Sequence, residues 1–200
     1  MKIRSEPFLW IHLGGIVVFP LMWFVTLIGL GIGNKYYLIE IPLLIAIAIL
    51  PVLLMQLYRP FNIFSLLFFS LQPESLTEDR RRILTLFKTQ QQKLVSCIIA
   101  VFMLLSLGLL YYFAPLTADL SSALLQNRLF GLAIAIIAFF GSNLFLQVPL
   151  SALQVLFHNE LASIEPCTVA EVEQKFTAPG IKLSHIPLLT KSSIKTQEPN

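Results

Sequence analysis

Asn143, Gln147, Ser151, Gln154 and His158 recur at i, i+4, i+8, i+11 and i+15 near the end of a long apolar segment. On a helix turning about 100° per residue they share an arc of roughly 80°. A polar stripe in lipid has to face protein or water. It can therefore tie helices together, receive a partner helix, or line a path for a neutral solute; Asn143, Gln147 and Gln154 are the expected partner contacts. The ring nitrogens of His12 offer a different chemistry. Imidazoles from neighbouring helices can hold a haem, and a single one can hold the magnesium of a chlorophyll. His12 is thus the one candidate cofactor ligand, set against the alternative of a histidine bonding a backbone carbonyl. A third cluster, Arg80-Arg81-Arg82, can meet anionic lipid or an acidic partner, or can simply keep its loop on the basic side of a membrane.

Motifs of enzymatic chemistry are missing. The chain has no P-loop, no G-x-G-x-x-G after a strand, no G-x-S-x-G elbow, no H-E-x-x-H and no C-x-x-C. Three histidines without nearby carboxylates or thiolates give no zinc ligand set. Cys97 and Cys167 form no disulfide framework and read as free thiols. No catalytic residue is assigned, and the chain is expected not to be an enzyme.

The elements that must position these groups are membrane spans. Residues 7–34, 41–58, 94–114 and 129–148 are apolar and hold no Lys, Arg, Asp or Glu in their interiors. About 18 such residues suffice for a helix to cross a hydrocarbon core about 30 Å thick. The bulk values agree, with 56% hydrophobic and 12% charged residues and a mean hydropathy of +0.77. The expected fold is all-α, a polytopic membrane protein with four transmembrane helices. A membrane domain over 1–157 is followed by a tail over 158–200 that is partly disordered. The basic start and long apolar run resemble a signal peptide, but its length and the lack of an A-x-A site favour an uncleaved anchor.

Charge sets the expected orientation. All but Lys35 and Arg128 of the 14 basic residues fall in the N-terminus, the loop 59–93 or the tail. The positive-inside rule then puts both termini and that loop in the cytoplasm. The net charge of +3 belongs to these loops. No basic segment is interleaved with stacking aromatics, so nucleic acid is not expected as a partner. Within the loop, Pro60 to Leu71 reads as an interfacial or half-inserted helix. Ser75-Leu76-Thr77-Glu78 reads as a capping box opening a helix that continues into the third span. Thr168-Val169-Ala170-Glu171 repeats the pattern in the tail, ahead of a short amphipathic helix. Gly131, Ala135, Ala138 and Ser142 give the last span a side on which another backbone can approach closely.

Four strings carry a resemblance: Ser5-Glu6-Pro7-Phe8-Leu9-Trp10-Ile11-His12-Leu13, Arg59-Pro60-Phe61-Asn62-Ile63-Phe64-Ser65-Leu66-Leu67, Leu76-Thr77-Glu78-Asp79-Arg80-Arg81-Arg82-Ile83-Leu84 and Ser142-Asn143-Leu144-Phe145-Leu146-Gln147-Val148-Pro149. Over about residues 5–157 the chain resembles the cyanobacterial low-complexity tail membrane proteins, although its own tail is short and unbiased. The resemblance implies a cyanobacterial thylakoid or plasma membrane, and brings no reaction and no active-site residues. The expectation that follows is an accessory or assembly factor for a photosynthetic membrane complex. It would touch membrane lipids and other membrane subunits, with photosystem subunits among the candidates. The alternatives are a transporter or channel for a neutral solute, and a pigment- or haem-binding protein.

Overall fold

The protein is described from a computed structural model that covers residues 3–32, 36–66, 68–125, 127–158 and 163–184. Lys2, Lys35, Glu160, His185, Lys191, Lys195, Glu198, the end of the first expected span at 33–34 and the expected disorder of the last residues lie outside the described residues. In chain order the elements used below are α1 (Pro7–Leu30), α2 (Tyr37–Tyr58), β1 (Phe69–Leu71), α3 (Glu78–Leu86), α4 (Gln90–Leu124), α5 (Arg128–Leu156), α6 (Val169–Lys175) and β2 (Ile181–Leu183). Helices α1, α2, α4 and α5 are the four expected spans, each long and apolar enough to cross a membrane. Their outward faces carry exposed Leu21, Leu54, Leu105 and Ile137, as suits contact with acyl chains.

Each span bears a local mark of its sequence. Proline lacks an N–H and its ring crowds the carbonyl four residues back. Pro51 in α2 is preceded by a π turn at Ile45–Ile49, the wider winding that such a break favours. Pro115 sits in a 3-10 turn, Ala114–Thr117, that divides α4 into a long helix ending at Phe113 and a short one, Ala118–Leu124. The hydroxyls of Thr117 and Ser121 then donate to the carbonyls of Leu27 (3.1 Å) and Ile28 (2.7 Å), tying this segment to the end of α1. Gly29 of α1 and Gly131 of α5 meet backbone to backbone, and a Cβ on either would lie 2.7 Å from the other's carbonyl oxygen. The small side of α5 is therefore covered by α1 of the same chain.

The buried residues form two clusters. One lies among the spans and includes Leu30, Leu44, Met103, Leu110, Ala135 and Phe139. The other forms a cap on the loop side, from the N-terminus, the middle loop, the end of α5 and the tail; it includes Phe8, Phe64, Ile83, Val155, Cys167 and Phe176. Helix α5 contributes to both.

The cap corrects three sequence-based expectations. The described residues of 60–71 form no helix. Asn62 Oδ1 accepts from the amide of Phe64 at 3.0 Å, and the Asn62 carbonyl accepts from the amide of Ser65 at 2.8 Å. Asparagine favours such a local turn over a helix, and Phe61, Ile63 and Phe64 are all buried by it. The chain then enters β1, which pairs in parallel with β2 from the tail, Ser70 opposite Lys182. Secondly, Thr77 caps α3 in place of Ser75, whose hydroxyl instead donates to the Gln72 carbonyl at 2.8 Å. Thirdly, α3 does not run into α4, because Thr89 caps a new helix by accepting from the amide of Gln92. The tail capping box forms as expected, Thr168 with Glu171. Residues 163–184 of the tail are docked on the cap, with Val172 and Phe176 buried in it.

Candidate functional site

The three consecutive arginines do not form one surface. Arg80 is only 4% exposed, and its guanidinium forks onto Glu6, Nε to Oε2 at 3.3 Å and Nη2 to Oε1 at 3.2 Å. The rings of Phe8 and Phe64 flank it at 5.7 and 5.5 Å, as for a cation over aromatic faces. Burial pushes the Glu6 carboxyl above the usual carboxylate range, against the downward pull of Arg80. Helix α3 thus turns Arg80 inward as a fastener between the N-terminus and the loop. Arg81 and Arg82 are half-buried on the same helix. Arg82 pairs with Asp79 at 3.6 Å, and the Nε groups of both arginines are enclosed without a hydrogen-bond partner.

His12 lies half-buried one turn into α1. Its Nδ1 is 2.8 Å from the Phe8 carbonyl and its Nε2 is 3.0 Å from the Ser65 carbonyl. Both ring nitrogens therefore meet backbone oxygens, and a metal centre would have to displace one of those contacts. Beside the ring an apolar groove of about 130 Å³ is lined by Ile11, Phe61, Leu144, Phe145 and Pro149, among others. His158 is also half-buried.

The polar stripe of α5 turns inward. Asn143 and Gln147 are fully buried. Asn143 Nδ2 donates at 2.9 Å to the Ala48 carbonyl, which lies within the π turn of α2, and Asn143 Oδ1 accepts from Gln147 Nε2 at 3.2 Å. Gln92 of α4 donates to the Ser151 carbonyl at 2.9 Å. With Gln56, Ser96 and Ser151 these side chains form a buried polar belt across α2, α4 and α5 in the loop-side half of the bundle. Within it, Gln92 Oε1, Gln147 Oε1 and Ser151 Oγ have no partner. Gln154 is half-buried, and its Oε1 is also unpartnered. Asn143 and Gln147 therefore serve contacts inside the chain.

The far end of the bundle holds a second fastener. Glu40 of α2 is buried and pairs with Arg128 of α5. Tyr111 of α4 donates to Glu40 Oε2 at 3.1 Å. Arg128 Nη1 also donates to the carbonyls of Leu30 and Ile32, at 2.8 and 3.0 Å, satisfying the open C-terminal end of α1. Four elements thus converge on one ion pair. The signal was present in the sequence: beside Lys35 and Asp119, Glu40 and Arg128 are the only fixed charges in the two far-side connections, and burying either alone is costly.

Among the described residues no cluster of three or more His, Cys, Asp or Glu is placed to hold a metal ion. The family described as low-complexity tail membrane protein-like matches residues 5–188 of this chain. No curated protein and no solved structure matches it.

Proposed function

We propose that this chain, which belongs to the low-complexity tail membrane protein-like family, is a non-enzymatic accessory or assembly factor that presents its cap to subunits of a membrane complex. The observation that carries this reading is the division of labour among its polar groups. Arg80, Asn143 and Gln147 are consumed within the fold. Arg81 and Arg82 are only half-buried, and the Arg82 side chain, 27% exposed, leaves guanidinium donors within reach of the surface. Such donors suit a carboxylate or carbonyl of a partner. The photosynthetic setting, the thylakoid or plasma membrane location and the partnership with photosystem subunits rest on the resemblance of the four strings alone. The cytoplasmic placement of both termini and of the cap rests on the distribution of Lys and Arg.

The test is recovery of tagged protein from its native membranes in mild detergent, with identification of co-purifying subunits. The double variant Arg81→Gln/Arg82→Gln is expected to lose most of those subunits while tags at either end keep their sidedness. Unchanged recovery would remove this surface from the function. A transport path for a neutral solute is the second reading, favoured by the unpartnered acceptors of the buried belt. Uptake into vesicles that is lost in Gln147→Leu would support it over the first.

A further inference from the structure

Three lysines and one unpartnered amide surround a pocket where two spans meet the cap. Gln56, Leu57 and Tyr58 line it from the end of α2 and Pro60 from the loop that follows; Lys88, Lys93 and Lys175 come from the loop, the first turn of α4 and the end of α6. Its volume is about 170 Å³, ample for a headgroup anion given that a water occupies about 30 Å³ of liquid. The position is where an apolar helix leaves the bilayer: α2 ends at Tyr58, and α4 begins at Gln90.

Every polar side chain lining this pocket can donate, and the tyrosine and glutamine can also accept. The side chain of Gln56 is enclosed, with the residue only 5% exposed, and its Nε2 has no hydrogen-bond partner. An enclosed N–H without an acceptor is costly, and Gln56 is among the residues lining a pocket whose charges are positive. Lys93 has no carboxylate partner among the described residues. It lies in the first turn of a long helix, the end where a cation is disfavoured and an anion favoured. Lys88 is steadied by the Phe176 ring, 5.1 Å from its Nζ. Among the described residues the carboxylate paired with these lysines is Glu171, 2.7 Å from Lys175 and 3.5 Å from Lys88. It offsets a single charge and leaves an excess of two.

We propose that this pocket takes the phosphate-type headgroup of an anionic membrane lipid, with Lys93, Lys88, Lys175 and Gln56 Nε2 as its donors and the acyl chains lying along the lipid face beside α2 and α4. The site is independent of Arg81 and Arg82 and does not rest on the accessory-factor reading.

Native mass spectrometry of the full chain in zwitterionic detergent tests it, by titration with phosphatidylglycerol, phosphatidylcholine or inorganic phosphate. Phosphatidylglycerol is expected to bind in preference to phosphatidylcholine. Lys93→Gln should weaken it about five-fold, the scale of one lysine at an anionic surface. Gln56→Leu should weaken it by a smaller factor, and Lys182→Gln, whose lysine pairs with Glu173 elsewhere, should leave it unchanged. Equal binding of the two lipids, or phosphatidylglycerol binding as tight in Lys93→Gln as in the unaltered protein, overturns the site. Displacement of phosphatidylglycerol by an equal concentration of inorganic phosphate overturns the lipid and leaves a soluble anion as the ligand. Should Lys93→Gln not fold, the comparison of lipids on the unaltered protein decides.

Discussion

Arg80 shows how neighbours identical in type diverge once tertiary structure forms. Its partner Glu6 lies 74 residues away, and nothing local distinguishes it from Arg81 or Arg82, so the sequence reveals a basic cluster and not a buried pair. Removing one partner of such a pair strands the other charge, at a cost of about 3–5 kcal/mol, whereas replacing both by apolar groups can be nearly neutral. Arg80→Met is therefore expected to destabilise the cap by that amount, and Glu6→Leu/Arg80→Met to recover most of it, read by denaturant titration in detergent. The pair also sets a pH dependence. Glu6 sits above its ordinary value in the fold because burial outweighs Arg80. Its contribution to stability is then fully present below the unfolded value near 4.5 and is lost as pH rises through the folded one. Acidification toward 4.5 should firm the cap in the unaltered protein, and Glu6→Gln should flatten that response. A response equally steep in Glu6→Gln would assign it to another carboxylate.

At the scale of elements, the legible features are those written in adjacent residues. The four spans and the Thr168–Glu171 capping box both follow from short patterns. The segment 60–71 does not, because its apolar residues satisfy a helix on composition. What prevents the helix is a local turn at Asn62 and pairing with a strand more than a hundred residues later. The same limit applies to Asn143. Its place on a polar stripe was visible, but its acceptor was not, since the Ala48 carbonyl becomes its partner within the π turn that precedes Pro51. Pro51→Ala is thus expected to let α2 wind as a regular α-helix and withdraw that carbonyl from Asn143. If turn and side chain form one unit, Pro51→Ala and Asn143→Leu together will cost less than the sum of the two singly. The coupling should be about 0.6–2 kcal/mol, the range for inter-helix hydrogen bonds in membranes. Strict additivity would mean that the π turn stands without Asn143.

For the whole molecule, the two buried ion pairs sit at opposite ends of the spans, and helix α5 joins the two cores. One cluster is packed among helices whose outer faces suit lipid, the other among short segments held by the tail. A cap assembled from the N-terminus, the loop and the tail depends on contacts between residues far apart in the chain, whereas each span keeps its own backbone bonds. Local opening is therefore expected in the cap before the bundle. Phe176 is the sensitive point, being fully buried among Phe8, Phe64 and Ile83 in the cap core. Phe176→Ala should cost about 3–5 kcal/mol and raise amide exchange across 61–66, 68–89 and 163–184. The helix contact at Gly29 and Gly131 should keep its protection, because only the lower end of α5 reaches the cap. Exchange that rises equally at 128–142 would show cap and bundle to unfold as a single unit. In that case a partner bound at Arg81 and Arg82, or a lipid held by Lys93, would stabilise the spans as strongly as the cap itself.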